Sequence, residues 1–385
     1  MKPLRVVFVT RRFWPLVGGA HESLGLLAGE LARRGADCRV VTIRWQADWP
    51  ESIEHHGVKV HRLPRPTPGL WGSWRHARRL RAWLSAHCPG AWTICVSGMR
   101  HEAAAVLRAA HRRQWRVVLR PAGAGLTGDC HWQLEAAGGR RLKRICLSAD
   151  AFIAPTRACE NELIAAGYPR GRISFAPCGV PQAEPATAAA RQAARQVLGQ
   201  AHPALAVTGD SLIAAYTGRI VEGKGLDYLI DAWRPIVSRW PASRLWLIGE
   251  GALTGPLEEQ VRRLGMASSI ALPGAFDSVD DVLAAADLYV SPAIDTGTGL
   301  GLLGAMAAGL PVVASDVPGH QEFVSHGQQG DLCAAGDAAA LAQAISRLWE
   351  DAAALANMGQ AARQRAQAEF NLQAMADRYG QLLTQ

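Results

Sequence analysis

The chain has 385 residues, 49% of them hydrophobic and 19% charged. That composition excludes a disordered or collagen-like chain, and the length suits two domains with separate cores. No apolar run reaches the roughly 20 residues of a membrane-spanning helix.

Leu4–Thr10 reads as a buried strand and not as a secretory leader, which predicts a cytoplasmic protein. The net charge of +8 is unevenly placed: residues 1–180 hold 28 Lys and Arg against 12 Asp and Glu, and residues 181–385 hold 13 against 21. A basic first half attracts anions. Its densest runs are Arg75–Arg81, Arg108–Arg120 and Arg140–Arg144. Zinc-finger spacing, RNP-like aromatics and basic-zipper patterns are all missing, which argues against nucleic acid. An anionic membrane surface, such as the inner face of the cytoplasmic membrane, is the better partner, with solvated arginine faces as the competing reading. The eight cysteines include no Cys-x-x-Cys pair. They are expected to be reduced core residues, and no metal site follows from them.

In chain order, strands are predicted at 4–10, 38–43, 58–63, 92–97, 115–120, 151–155 and 172–176. Helices are predicted at 21–34, 73–87, 101–113, 131–147 and 157–166. A Pro- and Ala-rich connection, 181–203, contains a short helix near 188–198. The alternation then restarts, with strands at 212–217, 244–248, 269–272, 288–291 and 311–314. Helices follow at 225–239, 254–265, 279–286, 301–309 and 338–350, and a helical tail at 353–383 breaks near Asn371. Such alternation implies two doubly wound parallel sheets facing a central cleft, where ligands belong.

Three glycine-rich segments could meet a ligand there. Gly18-Gly19 precede the first helix, where bare N–H groups and the helix dipole suit a phosphate, or where a tight turn simply needs glycine. Gly123–Gly128 matches Gly-x-Gly-x-x-Gly but follows a mid-domain strand behind Pro121, so it reads as a cleft loop and not a nicotinamide site. Gly218-Arg219-Ile220-Val221-Glu222-Gly223-Lys224-Gly225 places an arginine after a strand and a lysine before the next helix. Together they could neutralise a diphosphate leaving group. Lys224 is the only lysine of the second half.

This last run resembles the Gly-Arg-(Leu/Ile)-x-x-x-Lys-Gly segment of family 4 retaining glycosyltransferases, which have the GT-B fold. The resemblance continues through Leu245–Gly251, Ile270–Gly274, Ala286–Pro292, Ala305–Ala314, Gly319–Glu322 and Gly330–Leu332, and in the first half through Pro15–Gly19 and Arg172–Val180. It implies an acceptor-binding Rossmann-like domain at 1–180, the linker at 181–203, a nucleotide-sugar-binding domain at 204–368, and a C-terminal helix at 369–385 packing back on the first domain. It implies transfer of a sugar from a nucleotide-diphosphate donor to a saccharide or lipid-linked acceptor in envelope polysaccharide or glycolipid synthesis, without metal or further cofactor. Arg219 and Lys224 would carry catalysis. Gly18, Gly19, Gly249, Glu250, Thr296, Gly297, Thr298, Gly299, Leu300 and Glu322 would hold the donor. From their positions near the expected cleft, and not from the resemblance, His101 and His131 could meet the acceptor, with a surface histidine as the competing reading; His21 could do so or simply start a helix, and Arg120 is a further acceptor candidate.

The sequence also departs from the family. Aligned on Ala305-Met306-Ala307, the two customary glutamates are replaced by Thr296 and Gly304. Asp295 stands one position away and could substitute. Ala122 takes the place of a customary histidine, and Cys178 that of an asparagine. An active enzyme with rebuilt donor recognition is expected. The alternative is a non-catalytic relative that binds a partner transferase. Trp14 and Trp71 are expected in loops, stacking on a sugar or sitting at a membrane interface.

Overall fold

The computed structural model describes residues 3–384 apart from 17, 126–127, 185–186, 210 and 295–298. Two compact units make up the chain: residues 1–16, 20–179 and 372–385 form the first, and 17–19 and 180–371 the second.

The first unit runs β1 (Arg5–Thr10), α1 (Gly19–Arg33), β2 (Asp37–Arg44), β3 (Ser52–His55), β4 (Val58–Pro64), α2 (Leu70–His87) and β5 (Trp92–Ser97). It continues with α3 (His101–Ala110), β6 (Trp115–Arg120), α4 (Asp129–Glu135), α5 (Gly139–Cys146), β7 (Ala151–Ala154), α6 (Arg157–Ala165) and β8 (Ile173–Phe175). The second unit begins with α7 (Ala188–Ala201), β9 (Ile213–Thr217), α8 (Leu226–Arg239), β10 (Arg244–Ile248), α9 (Thr254–Arg263) and β11 (Ile270–Gly274). It then has α10 (Asp280–Ala285), β12 (Leu288–Ser291), α11 (Leu300–Ala307), β13 (Val312–Ser315) and α12 (Pro318–Gln321). β14 (Gly330–Cys333), α13 (Ala338–Glu350) and α14 (Ala352–Glu369) complete it, and α15 (Leu372–Thr384) returns to the first unit.

The first sheet has the order β3-β4-β2-β1-β5-β6-β7-β8, parallel except for the β3–β4 hairpin. Alternation along the strands feeds two cores. Val6 and Phe8 of β1 pack with Leu24 and Leu27 of α1 and with Met375, Tyr379 and Leu382 of α15. Val7 and Val9 pack on the other face with Leu80 and Leu84 of α2 and Val106 of α3. The second sheet, β11-β10-β9-β12-β13-β14, is parallel throughout. One of its faces buries Tyr216, Leu247 and Val290 against Trp233 of α8 and Ile345 of α13.

Five expectations change, the first being that β14 was not foreseen. The chain at 181–203 is not a free connection: α7 belongs to the second unit, where Arg195 and Arg191 pair with Asp287 at 2.8 and 3.0 Å. Asp287 also accepts the Ile213 amide at 2.8 Å, so the carboxylate pins α7 to the start of β9. β3 was not foreseen; its turn is His56-Gly57, both at positive φ as a type I′ hairpin requires. The helix expected at 131–147 is broken at Gly138, whose φ is +79°. Trp71 lies on α2, which begins three residues earlier than expected, and not in a loop.

Candidate functional site

The second unit offers the clearer site. From β9 the chain winds outward through β10 and β11 in one direction, and from β12 through β13 and β14 in the other. The switch point is therefore between β9 and β12, and in such sheets ligands bind outside the carboxyl ends of the strands there. The loops leaving β9 and β12 are joined directly: the Ile294 amide donates to the Gly223 carbonyl at 3.0 Å. Gly225, at φ +63°, ends the first loop with its backbone against the Pro292 carbonyl, which an added Cβ would meet at 2.0 Å. Only glycine fits this crossing.

Arg219 and Lys224 are both half-buried in this β9–α8 loop. The Arg219 carbonyl accepts from the buried Tyr216 hydroxyl at 2.9 Å, which fixes the backbone. Among the described residues its guanidinium makes no hydrogen bond or ion pair. Lys224 lies near enough to His320 for its charge to be felt there.

Sequence reasoning places His320 in a loop at the cleft but assigns the site role there to Glu322; the structure puts His320 on a short helix. It is buried on α12, with Nε2 2.9 Å from Ser291 Oγ at the end of β12 and Nδ1 2.8 Å from the Ser315 carbonyl at the end of β13. A carbonyl can only accept, so Nδ1 carries the proton and Nε2 accepts from Ser291. Burial, assisted by the Lys224 charge, pushes the imidazole pKa down to about 4 against the Ser315 hydrogen bond. A neutral histidine thus ties together two strand ends beside the switch point. The available signal was a histidine two residues after the proline that follows β13.

The remaining donor candidates are spread around these loops. Gly249 follows β10 and lies against the Gly218 carbonyl, which a Cβ would meet at 1.8 Å, so its glycine serves loop packing. Glu250 is exposed, and its carbonyl accepts the Ile220 amide at 3.0 Å. Gly299 caps α11 at φ +60°, and Leu300 begins that helix with a buried side chain. Thr296, Gly297, Thr298 and Asp295 lie outside the described residues. Glu322 follows α12, half-buried, and its carbonyl accepts from Arg365 at 3.1 Å.

The first unit has its own switch point, between β1 and β5. There Arg11, just past β1, pairs with Glu102 of α3 at 3.2 Å, and His76 of α2 comes within 3.8 Å of the same carboxylate oxygen. Glu102 and His76 are buried, and with Arg11, Ser73 and His101 they line a small cavity. Burial holds His76 below the usual histidine range, opposed by Glu102. His101 also sets its ring edge-on to Trp132, 5.6 Å away. His131 is on α4 and His21 in the first turn of α1, both half-buried; Gly18 and Gly19 stand at the start of α1.

Arg120 requires correction. Its side chain is buried inside the first unit, with Nε donating to Tyr379 at 2.9 Å and Nη2 to Ser23 and Cys178 at 3.2 and 3.3 Å. A guanidinium enclosed in this way holds α15 to the sheet and meets no acceptor. Of the Gly123–Gly128 run, 126 and 127 lie outside the described residues; the Gly128 amide donates to the Gly125 carbonyl at 2.9 Å, and α4 begins at Asp129. Among the described residues no group of three His, Cys, Asp or Glu side chains could hold a metal ion.

Two doubly wound parallel sheets, one with a basic loop at its switch point, define a two-domain α/β protein of the GT-B fold. Residues 18–179 match the glycosyl transferase 4-like domain, and residues 211–351 match glycosyl transferases group 1. The chain belongs to the family 4 glycosyltransferases. It is 26% identical over 400 residues, 98% of both chains, to a GDP-mannose-dependent alpha-(1-6)-phosphatidylinositol monomannoside mannosyltransferase of Mycolicibacterium smegmatis. It is 31% identical over 174 residues to the lipopolysaccharide core biosynthesis glycosyltransferase LpsE of Rhizobium meliloti, covering 45% of this chain and 50% of that protein. For several curated relatives the chain spans about half their length or less. Among solved structures it is similar to Anabaena HepE in complex with UDP and glucose, with a TM-score of 0.79, 20% identity and 99% coverage of both chains.

Proposed function

We propose that this chain transfers a sugar, with retention, from a nucleotide-diphosphate donor to a saccharide or lipid-linked acceptor used in envelope polysaccharide or glycolipid synthesis. The observation that carries the reading is the half-buried pair Arg219 and Lys224 on the β9–α8 loop at the switch point of the second sheet. As the sugar–phosphate bond breaks, negative charge grows on the diphosphate, and fixed cations there stabilise it more than they stabilise the ground state. In this reading the two side chains supply the counter-charge without a metal, the start of α8 adds its positive dipole end, and neutral His320 keeps the ends of β12 and β13 in place without adding charge. Relatives named for lipopolysaccharide core and phosphatidylinositol mannoside synthesis support the acceptor class.

The replacement of the customary glutamates by Thr296 and Gly304 is what a non-catalytic relative would show, and one experiment separates the two readings. Thermal stability is measured with UDP, GDP, ADP, CDP and TDP and their sugar conjugates, for the parent and for Arg219→Ala/Lys224→Ala. A ligand at 100 times its dissociation constant adds about 2.7 kcal/mol. A selective rise that the double variant loses is expected. No rise with any nucleotide would transfer the assignment to a partner-binding protein.

A further inference from the structure

The one long stretch without an acidic residue coincides with the most exposed aromatic pair. Residues 55–101 contain no Asp or Glu but eight Lys and Arg. Within them, α2 turns His76, Leu80 and Leu84 inward and leaves Trp71 77% and Trp74 50% exposed, beside exposed Arg75, Arg78 and Arg79. These outward positions recur every three to four residues, so they form one stripe along the helix. Ordinary soluble helices put charge of both signs on that stripe and keep indoles off it.

The local geometry holds the two rings outward. The segment leaving β4 lies over the first turn of α2, where a Cβ on Gly72 would meet the Thr67 carbonyl at 1.7 Å. Arg75 donates to Thr67 Oγ1 at 3.1 Å and fastens that crossing. Trp71 and Trp74 pack edge to face, 6.1 Å apart, and the Arg78 guanidinium stands over the Trp74 ring at 5.5 Å. Arg81 is not part of the stripe: it is half-buried, with Nε 3.3 Å from the Ala77 carbonyl.

We propose that α2 docks this protein on an anionic phospholipid surface, lying along it with Trp71 and Trp74 in the headgroup layer and Arg75, Arg78 and Arg79 against lipid phosphates. Indoles favour that layer because one edge is polar and the body apolar, and arginines there are drawn by the surface potential. A stacking platform for single-stranded nucleic acid is disfavoured, because Arg78 covers the Trp74 ring and Trp71 meets it edge-on. Attachment is peripheral: no helix among the described residues is long and apolar enough to cross a membrane.

The inference does not rest on sugar transfer, so a nucleotide result leaves it standing and a vesicle result leaves the transfer reading standing. The test is co-sedimentation of the full chain with phosphatidylcholine vesicles, with and without phosphatidylglycerol, across a salt series, and with RNA as a competing polyanion. Binding should require phosphatidylglycerol and weaken with salt. Arg75→Gln/Arg78→Gln/Arg79→Gln should lower partitioning by about a hundredfold, roughly fivefold per arginine. Trp71→Ser/Trp74→Ser should lower it more than about tenfold and remove the tryptophan quenching caused by brominated lipids. All five side chains face solvent and the arginine variant gives up only the exposed Arg75–Thr67 hydrogen bond, so melting curves close to the parent's are expected of both variants. Equal binding to neutral vesicles, a tryptophan variant that binds as the parent does, or RNA binding without vesicle binding would each overturn the proposal.

Discussion

His320 makes the second unit acid-sensitive in a calculable way. Its pKa is about 4 in the folded chain against 6.5 for a free histidine. A depressed histidine pKa means that the unfolded chain binds the proton more readily, so stability rises with pH between the two values. The contribution is complete above about pH 6.5 and is lost as pH falls toward 4; the difference of two to three units amounts to roughly 3 kcal/mol. His320→Gln removes the titrating group while keeping an amide that can donate and accept. The assay is amide exchange in β12 and β13, corrected for intrinsic rates, because two units that unfold separately blur a global melt. Over pH 7 to 4.5 the parent should lose about 2–3 kcal/mol more opening free energy than the variant. A difference below about 1 kcal/mol would refute the placement of a neutral, enclosed imidazole between Ser291 and Ser315.

Two further outcomes follow from the packing. Tyr379→Phe removes the hydroxyl that accepts from buried Arg120 Nε, and should cost about 1.5–3 kcal/mol in urea unfolding of the first unit; a loss under about 0.5 kcal/mol would mean the pair is not holding α15. Gly304→Glu returns a carboxylate to α11, where an added Cβ meets only Leu283 at 3.6 Å. The melting temperature should hold or rise, since glycine is a poor helix former. Affinity for the preferred nucleoside diphosphate should rise about tenfold or more by calorimetry, and an unchanged affinity would mean that the nucleotide does not reach this face of α11.

Much of the fold was legible because buried parallel strands are short aliphatic runs. Val6–Val9, Ile94–Val96 and Leu245–Ile248 can hardly be read otherwise. What escaped had weak local signals. β14 begins Gly-Asp, poor strand formers; Gly330 is there because a Cβ would meet the Val312 carbonyl at 1.9 Å, a constraint only the neighbouring strand reveals. β3 escaped because its turn opens with histidine where asparagine or aspartate is usual. At the site, Arg219 and Lys224 stood out by spacing, since glycines bracket them. His320 did not, because its meaning depends on Ser291 and Ser315 from two other strands. Arg120 misled for a related reason: a strand-end arginine looks solvent-facing until a tyrosine 259 positions away supplies its partner.

That tyrosine has a consequence for how the protein is made. The first core needs Met375, Tyr379 and Leu382 of α15 to cover one face of β1 and β5, and these leave the ribosome only after the whole second unit has done so. During synthesis the N-terminal sheet must therefore wait, with Phe8, Val118 and the Arg120 guanidinium open on that side, while the whole second unit is translated and can close on its own core. The unit whose strands are made earlier closes later, and a nascent chain stalled between β8 and α15 would present an apolar, cationic face to the chaperones around it.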